Sequence, residues 1–327
     1  MSGAFDSAPS DGKVVIGLSA VVVAIQEDDA VVLTVRPPGA SAEGLPFGPF
    51  DPLGHRTFEL AMRAFVTEQT RFTLGYVEQL YTFGDKGRDA PLADMGERSD
   101  QARVISVGYL ALATAAVDTN APGSEWRPWA RFFPYEDWRE GRPAALPLIE
   151  EALRRWAGGD AHRLSRARLL FALEGAPWNE ERVLERYELL YEAGLAREAA
   201  RDRGETAAAL PAPLAAALGK PMLSDHRRIL ATAVSRLRGK LKYRPVVFEL
   251  MPEAFTLSAL QRAVEAIAGV PLHKQNFRRA LERAELVEGL GRMDADTGGR
   301  PAELYRFRRE ILGARPVSGL SLPLLRD

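Results

Sequence analysis

The chain has 327 residues, 46% hydrophobic and 27% charged, ordinary values for a folded protein with room for two cores. It has no cysteine, which excludes disulfides, thiolate metal sites and a cysteine nucleophile, and its four histidines (His55, His162, His226, His273) show no HxxxH spacing. The net charge of −1 is unevenly divided: residues 1–218 hold 23 Lys+Arg against 32 Asp+Glu and residues 219–327 hold 20 against 12, so the basic back half suits a polyanion.

The opening MSGAFDSAPSDGK lacks the basic and apolar regions of a signal peptide, and the apolar run 14–25 is too short and interrupted to span a bilayer. A cytoplasmic protein with no membrane association is expected. VVIGLSAVVVAI and AVVLTVR, joined by the polar QEDD, predict an antiparallel hairpin whose first strand, apolar throughout, is central. Residues 37–55 are crowded with Gly and Pro and predict a loop. Phe58, Met62, Phe65 and Val66 recur at helical spacing and predict an amphipathic helix over 56–70. Strands are predicted over 74–83 and 102–114, giving an α+β domain with a helix packed on a mixed sheet. A helix start attracts anions, so His55 and Arg56 are candidates for a ligand site, together with Arg36 at the end of the second strand and Glu68 on the helix. Each of the four reads equally as a surface charge.

From Trp126 the composition changes, and helical patterns over 146–156, 163–173 and 180–192 predict a helical insertion at 145–218. Its end, AAALPAPLAAA at 207–217, has the composition of a linker. In the segment 219–245, Ile229, Leu230, Ala233, Val234, Leu237 and Leu241 form one helical stripe, with Asp225 near its N-terminus and several cations mostly off it.

Residues 246–327 predict a winged helix-turn-helix. Thr256 and Ser258 open a helix bearing Leu260, Val264, Ile267 and Ala268, and a Gly-Val-Pro break at 269–271 precedes a second helix. That second helix turns Phe277, Leu281 and Ala284 inward and Lys274, Gln275, Arg278 and Arg279 outward. Strands over 286–293 and 303–307 enclose a tight turn at Gly298-Gly299. His273, Lys274, Gln275 and Asn276 are candidates for base edges, since Gln and Asn can bridge adenine. Arg278 and Arg279 suit phosphate or guanine, and Arg300, Tyr305 and Arg306 lie along the wing. Thr256 and Ser258 complete the DNA-binding candidates.

The order strand, LP-x-G loop, helix, strand in residues 1–144 resembles a Nudix domain, and LGYVEQLYTFGD is similar to the segment after the Nudix box in ADP-ribose-directed members. Such enzymes use G-x5-E-x7-R-E-U-x-E-E-x-G-U, whose helix glutamates hold divalent cations against a pyrophosphate. Here Leu45-Pro46-Phe47-Gly48 keeps the opening, but Gly54 stands where the first Glu belongs. Ala64, Phe65, Gln69 and Arg71 occupy other box positions, leaving Glu68 as the surviving carboxylate. Sliding the frame by one restores Arg63 as the box arginine and puts Ala64 and Thr67 at Glu positions. A single carboxylate cannot hold a cation cluster, so the resemblance implies a degenerate Nudix-like cleft with no metal and no catalytic residues. An active ADP-ribose pyrophosphatase with an appended DNA-binding domain is the alternative.

FTLSALQ, NFRRAL and GGRPAELYRF resemble the C-terminal domain of the NrtR family and its alphaproteobacterial NadQ relatives. That resemblance implies a homodimeric repressor of NAD biosynthesis genes, bound to a palindromic double-stranded DNA operator. No cofactor is required; a nucleotide effector, whether ADP-ribose, NAD or ATP, would control it. A winged helix used for protein contact, its basic face merely solvated, is a third reading.

Overall fold

The computed structural model describes residues 14–85, 103–117, 119, 121–206, 210–294 and 301–310. A strand with no polar face must be covered on both sides, and this is the situation of β1 (Val14–Gln26), the centre of a six-stranded sheet. β2 (Asp29–Val35) pairs with it antiparallel, and β5 (Arg103–Leu112) pairs parallel from Val14–Arg103 to Val23–Leu112. β4 (Tyr76–Phe83) flanks β5, β6 (Ser124–Pro128) flanks β2, and β3 (Phe47–Pro49) pairs with β1.

The hairpin turn is two residues, not four: Glu27 and Asp28 both take positive φ (49° and 67°), as a twist-matched tight turn requires. The Gly/Pro-rich 37–55 stretch contains β3, where Gly48 runs so close to Phe65 that a Cβ would stand 2.7 Å from the ring. β6 had no counterpart in the sequence reading, because SEWRP is short, polar and ends in proline, the composition of an edge strand.

Alternation along β1 divides the core in two. Leu18, Ala20 and Val22, with Val107 and Tyr109 of β5, meet Ala61, Met62 and Val66 of α1 (Phe58–Thr70). α1 starts at Thr57, whose hydroxyl accepts the Leu60 N–H at 3.2 Å. Val21 and Val23, with Leu110 and Leu112, join a larger core with Ile229, Leu230, Ala233, Val234 and Leu237 of α7 (His226–Tyr243). The segment between holds α2 (Leu146–Ala157), α3 (Ala161–Phe171), α4 (Val183–Glu192), α5 (Arg197–Asp202) and α6 (Ala212–Ala217). The Ala/Pro stretch expected as a linker thus carries α6, with Leu214 and Ala217 in the same core.

α7 carries part of the positive charge inward. Arg227, Arg238 and Lys240 are buried against Glu198, Glu136 and Glu78, so part of the positive balance of the back half is internal.

β7 (Phe255–Thr256), α8 (Leu257–Ala268), α9 (Lys274–Ala284), β8 (Val287–Asp294) and β9 (Ala302–Phe307) follow in winged-helix order, with the sheet β7-β9-β8. Leu260, Val264, Ile267, Phe277 and Leu281 continue the α7 core into this domain. The Gly298-Gly299 turn and Arg300 lie outside the described residues. Among the described residues, no helix is long and apolar enough to cross a membrane.

Candidate nucleic-acid interface and ligand cleft

Helical periodicity sorts α9 into two faces. Phe277 and Leu281 are buried and Ala280 and Ala284 half-buried, whereas Lys274, Gln275, Asn276, Arg278, Arg279 and Arg283 are exposed. Among the described residues, Lys274, Arg278, Arg279 and Arg283 have no ion-pair partner. His273 is exposed at the N-cap and makes no side-chain cap. The outward face of α9 is therefore a set of uncommitted donors on a slim rod, which is what a major groove admits.

Two side chains absent from the sequence candidates hold α9 to α8. Glu265 Oε1 accepts the Leu272 N–H at 2.8 Å, and Gln261 Nε2 donates to Leu272 O and to Glu265 Oε1, both at 2.9 Å. Their i, i+4 spacing was the available signal. Thr256 is buried, and its hydroxyl accepts the Ala259 N–H at 3.1 Å as the cap of α8; Ser258 is half-buried in the first turn. In the wing, Tyr305 donates to Glu303 Oε2 at 2.8 Å, and this hydrogen bond, with burial, pushes its phenol pKa up. Arg306 pairs with Glu288 directly across the two strands, and Arg308 lies 4.0 Å from the same carboxylate. Among the described residues the cations of α9 are thus unpaired, and these two wing cations are not.

No hydrogen bond or ion pair joins any two of the four ligand candidates. Arg36 is exposed after β2, its backbone N–H donating to Gly123 O at 2.8 Å. His55 Nδ1 accepts the Asp51 N–H at 2.9 Å, and the ring meets Phe65 edge-on at 5.4 Å. Arg56 and Glu68 are exposed.

What α1 presents to the β3 loop is Phe65 and Gln69. The Gln69 amide grips both backbone groups of Phe47, Oε1 accepting its N–H at 3.1 Å and Nε2 donating to its carbonyl at 2.5 Å. Arg63 donates to Leu74 O (2.7 Å), Gly75 O (3.1 Å) and Glu59 (2.9 Å), which ties α1 to the chain entering β4. Among the described residues, no three His, Asp or Glu side chains gather as a metal site needs.

The loop is also pinned from beneath. His226 Nδ1 accepts the Leu45 N–H at 3.0 Å, and its Nε2 lies 3.5 Å from Ser19 Oγ. Burial, with Arg201 nearby, pulls its pKa down to about 3, so the imidazole is neutral. Buried Glu43 accepts from Arg131 at 2.8 Å. Sequence inspection could not find His226 in this role, because its partners lie far away along the chain.

Comparison with known proteins identifies both parts of this architecture. Residues 247–307 match the NrtR DNA-binding winged helix domain. The ADPR responsive transcriptional repressor NtrR of Acinetobacter baylyi is 40% identical over 91 residues, which cover 28% of this chain and 36% of that protein. The match thus spans about a third of the curated relative. The crystal structure of Shewanella oneidensis NrtR complexed with a 27mer DNA superposes over 90% of this chain and 93% of its own, with TM-score 0.53 and 21% identity. A MutT/nudix family protein from Enterococcus faecalis covers 93% of this chain and 90% of its own, with TM-score 0.51 and 16% identity. At such identities the likeness is one of fold. The chain therefore joins a Nudix-like domain to a C-terminal winged helix domain of the NrtR DNA-binding type.

Proposed function

We propose that the protein is a DNA-binding transcriptional repressor of NAD biosynthesis genes, controlled by an adenine nucleotide held in a catalytically inactive Nudix-like domain. The observation that carries this reading is α9, whose exposed Lys274, Arg278, Arg279 and Arg283 have no ion-pair partner among the described residues and stand inside a domain matching the NrtR winged helix. ADP-ribose is the first effector to consider, because the Acinetobacter relative is described as ADPR responsive. NAD and ATP are the comparators, and within this proposal the protein is a repressor of the NadQ type. Inactivity is supported by Gln69, engaged with the Phe47 backbone where the box calls for a carboxylate. A homodimer suits the reading, since one short helix contacts too few bases to select an operator alone.

The test is binding to duplexes from upstream of NAD-synthesis genes and to shuffled controls, with and without ADP-ribose, NAD or ATP. Selective binding that ADP-ribose alters by about tenfold is expected. Equal affinity for shuffled DNA at physiological salt, or magnesium-dependent ADP-ribose turnover lost in Glu68→Gln, would overturn the reading.

A further inference from the structure

Three charged side chains meet, almost without exposure, between the sheet domain and the winged helix. Glu136 accepts from Arg186 of α4 at Oε1 (2.5 Å) and Oε2 (2.8 Å), and from Arg238 of α7 at Oε2 (2.7 Å). The three are 2%, 0% and 1% exposed. One carboxylate facing two guanidinium groups leaves positive charge in excess in the interior, and a buried charge needs compensation from nearby dipoles. The end of α8 provides part of it. Arg238 Nε donates to Ile267 O at 2.8 Å, a last-turn carbonyl at the negative end of the helix dipole.

The same helix end is held again. The Trp138 N–H donates to Gly269 O at 2.6 Å. Gly269, the C-cap at φ 71°, fits so closely that a Cβ would stand 2.4 Å from Glu136 O and 2.5 Å from Arg238 Nη2. Arg262, on α8, pairs at 2.7 Å with Asp28 in the β1–β2 turn. Shortly after Gly269 comes Leu272, clamped by Gln261 and Glu265, and α9 begins directly beyond.

We infer that Glu136 and Arg238 are positioning residues for α9. Through the C-terminal end of α8 they fix the direction in which the reading helix projects from the Nudix-like domain. This rests on the DNA-binding function proposed above, but its geometry can be measured without DNA. A winged helix tethered by a linker alone would sample many orientations; one docked through its own helix cap presents α9 in one.

The absence of cysteine allows spin labels at Ala64→Cys on α1 and Glu282→Cys on α9 to report the placement of the two domains without background. With labelled protein diluted into unlabelled protein, so that only distances within one chain are read, the parent should give one narrow distribution. Arg238→Lys keeps a charge facing Glu136 but loses the Nε donor to Ile267 O. It is expected to broaden the distribution about twofold and, without labels, to weaken duplex binding about tenfold. Should it fail to fold, the combined Glu136→Leu, Arg186→Met, Arg238→Met variant removes the whole buried charge set, a replacement that cores commonly tolerate, and the same broadening is expected. A folded variant with a distribution as narrow as the parent's overturns the inference. Broadening in a protein whose parent binds no duplex would uphold the joint and defeat the DNA-binding reading instead.

Discussion

An amide carries an NH2 group where a carboxylate carries a second acceptor oxygen, and at Gln69 that group donates to the Phe47 carbonyl. A glutamate there would aim lone pairs at a carbonyl oxygen, so Gln69→Glu should lower unfolding free energy by about 1–3 kcal/mol in urea titrations. At Glu288 the consequence concerns binding. This residue neutralises Arg306, so Glu288→Gln should tighten duplex binding severalfold and steepen the log K against log salt slope by about one unit. His226 carries a pH dependence of definite sign. Its folded pKa of about 3 lies below the ordinary 6.5, so the unfolded chain takes up the proton first. The neutral ring's contribution is intact above pH 6.5 and is lost as pH falls toward about 3, at about 1.4 kcal/mol per pH unit inside that window. Unfolding measured across the window should show the slope, and His226→Gln should remove it.

At the scale of elements, α9 separates recognition from packing. Arg278→Ala with Arg279→Ala should weaken duplex binding about tenfold at fixed salt while leaving thermal stability nearly unchanged, as anisotropy and melting would show. α7 is the opposite case. Leu237 is fully buried where the sheet core meets the helical layer, and Leu237→Ala should cost about 2–5 kcal/mol by urea unfolding. These helices were legible in the sequence because an amphipathic stripe needs no knowledge of its partner. β1, β2, β4 and β5 were legible from β-rich runs between turn residues. β3 and β6 were not, since three and five residues carry too little pattern, and their pairing is decided by neighbours distant in sequence. The candidate site follows the same division. The outward residues of α9 and the helix start at Thr256 could be read from sequence, whereas the burial of Thr256 and the pairing of Arg306 depend on contacts that no spacing reveals.

At the scale of the molecule, the acidic front and basic back were visible from counting, but the counting could not say which cations were internal. Arg227, Arg238 and Lys240 are buried in ion pairs, and residues 246–327 hold 12 Lys+Arg against 11 Asp+Glu, so attraction for a polyanion rests on the placement of cations along one face of α9 and not on a net charge of the winged helix. The parallel pairing of β1 with β5 has a consequence for how the chain is made. β2 can close on one side of β1 as soon as both have left the ribosome, but the other side stays open until residue 103 and beyond are synthesised. Through that interval a long apolar edge is available to any other nascent chain, and long-range parallel closure is intrinsically slow. Chains interrupted before residue 103 should therefore aggregate, and the yield of native protein should depend on translation speed and chaperone supply more steeply than its equilibrium stability alone suggests.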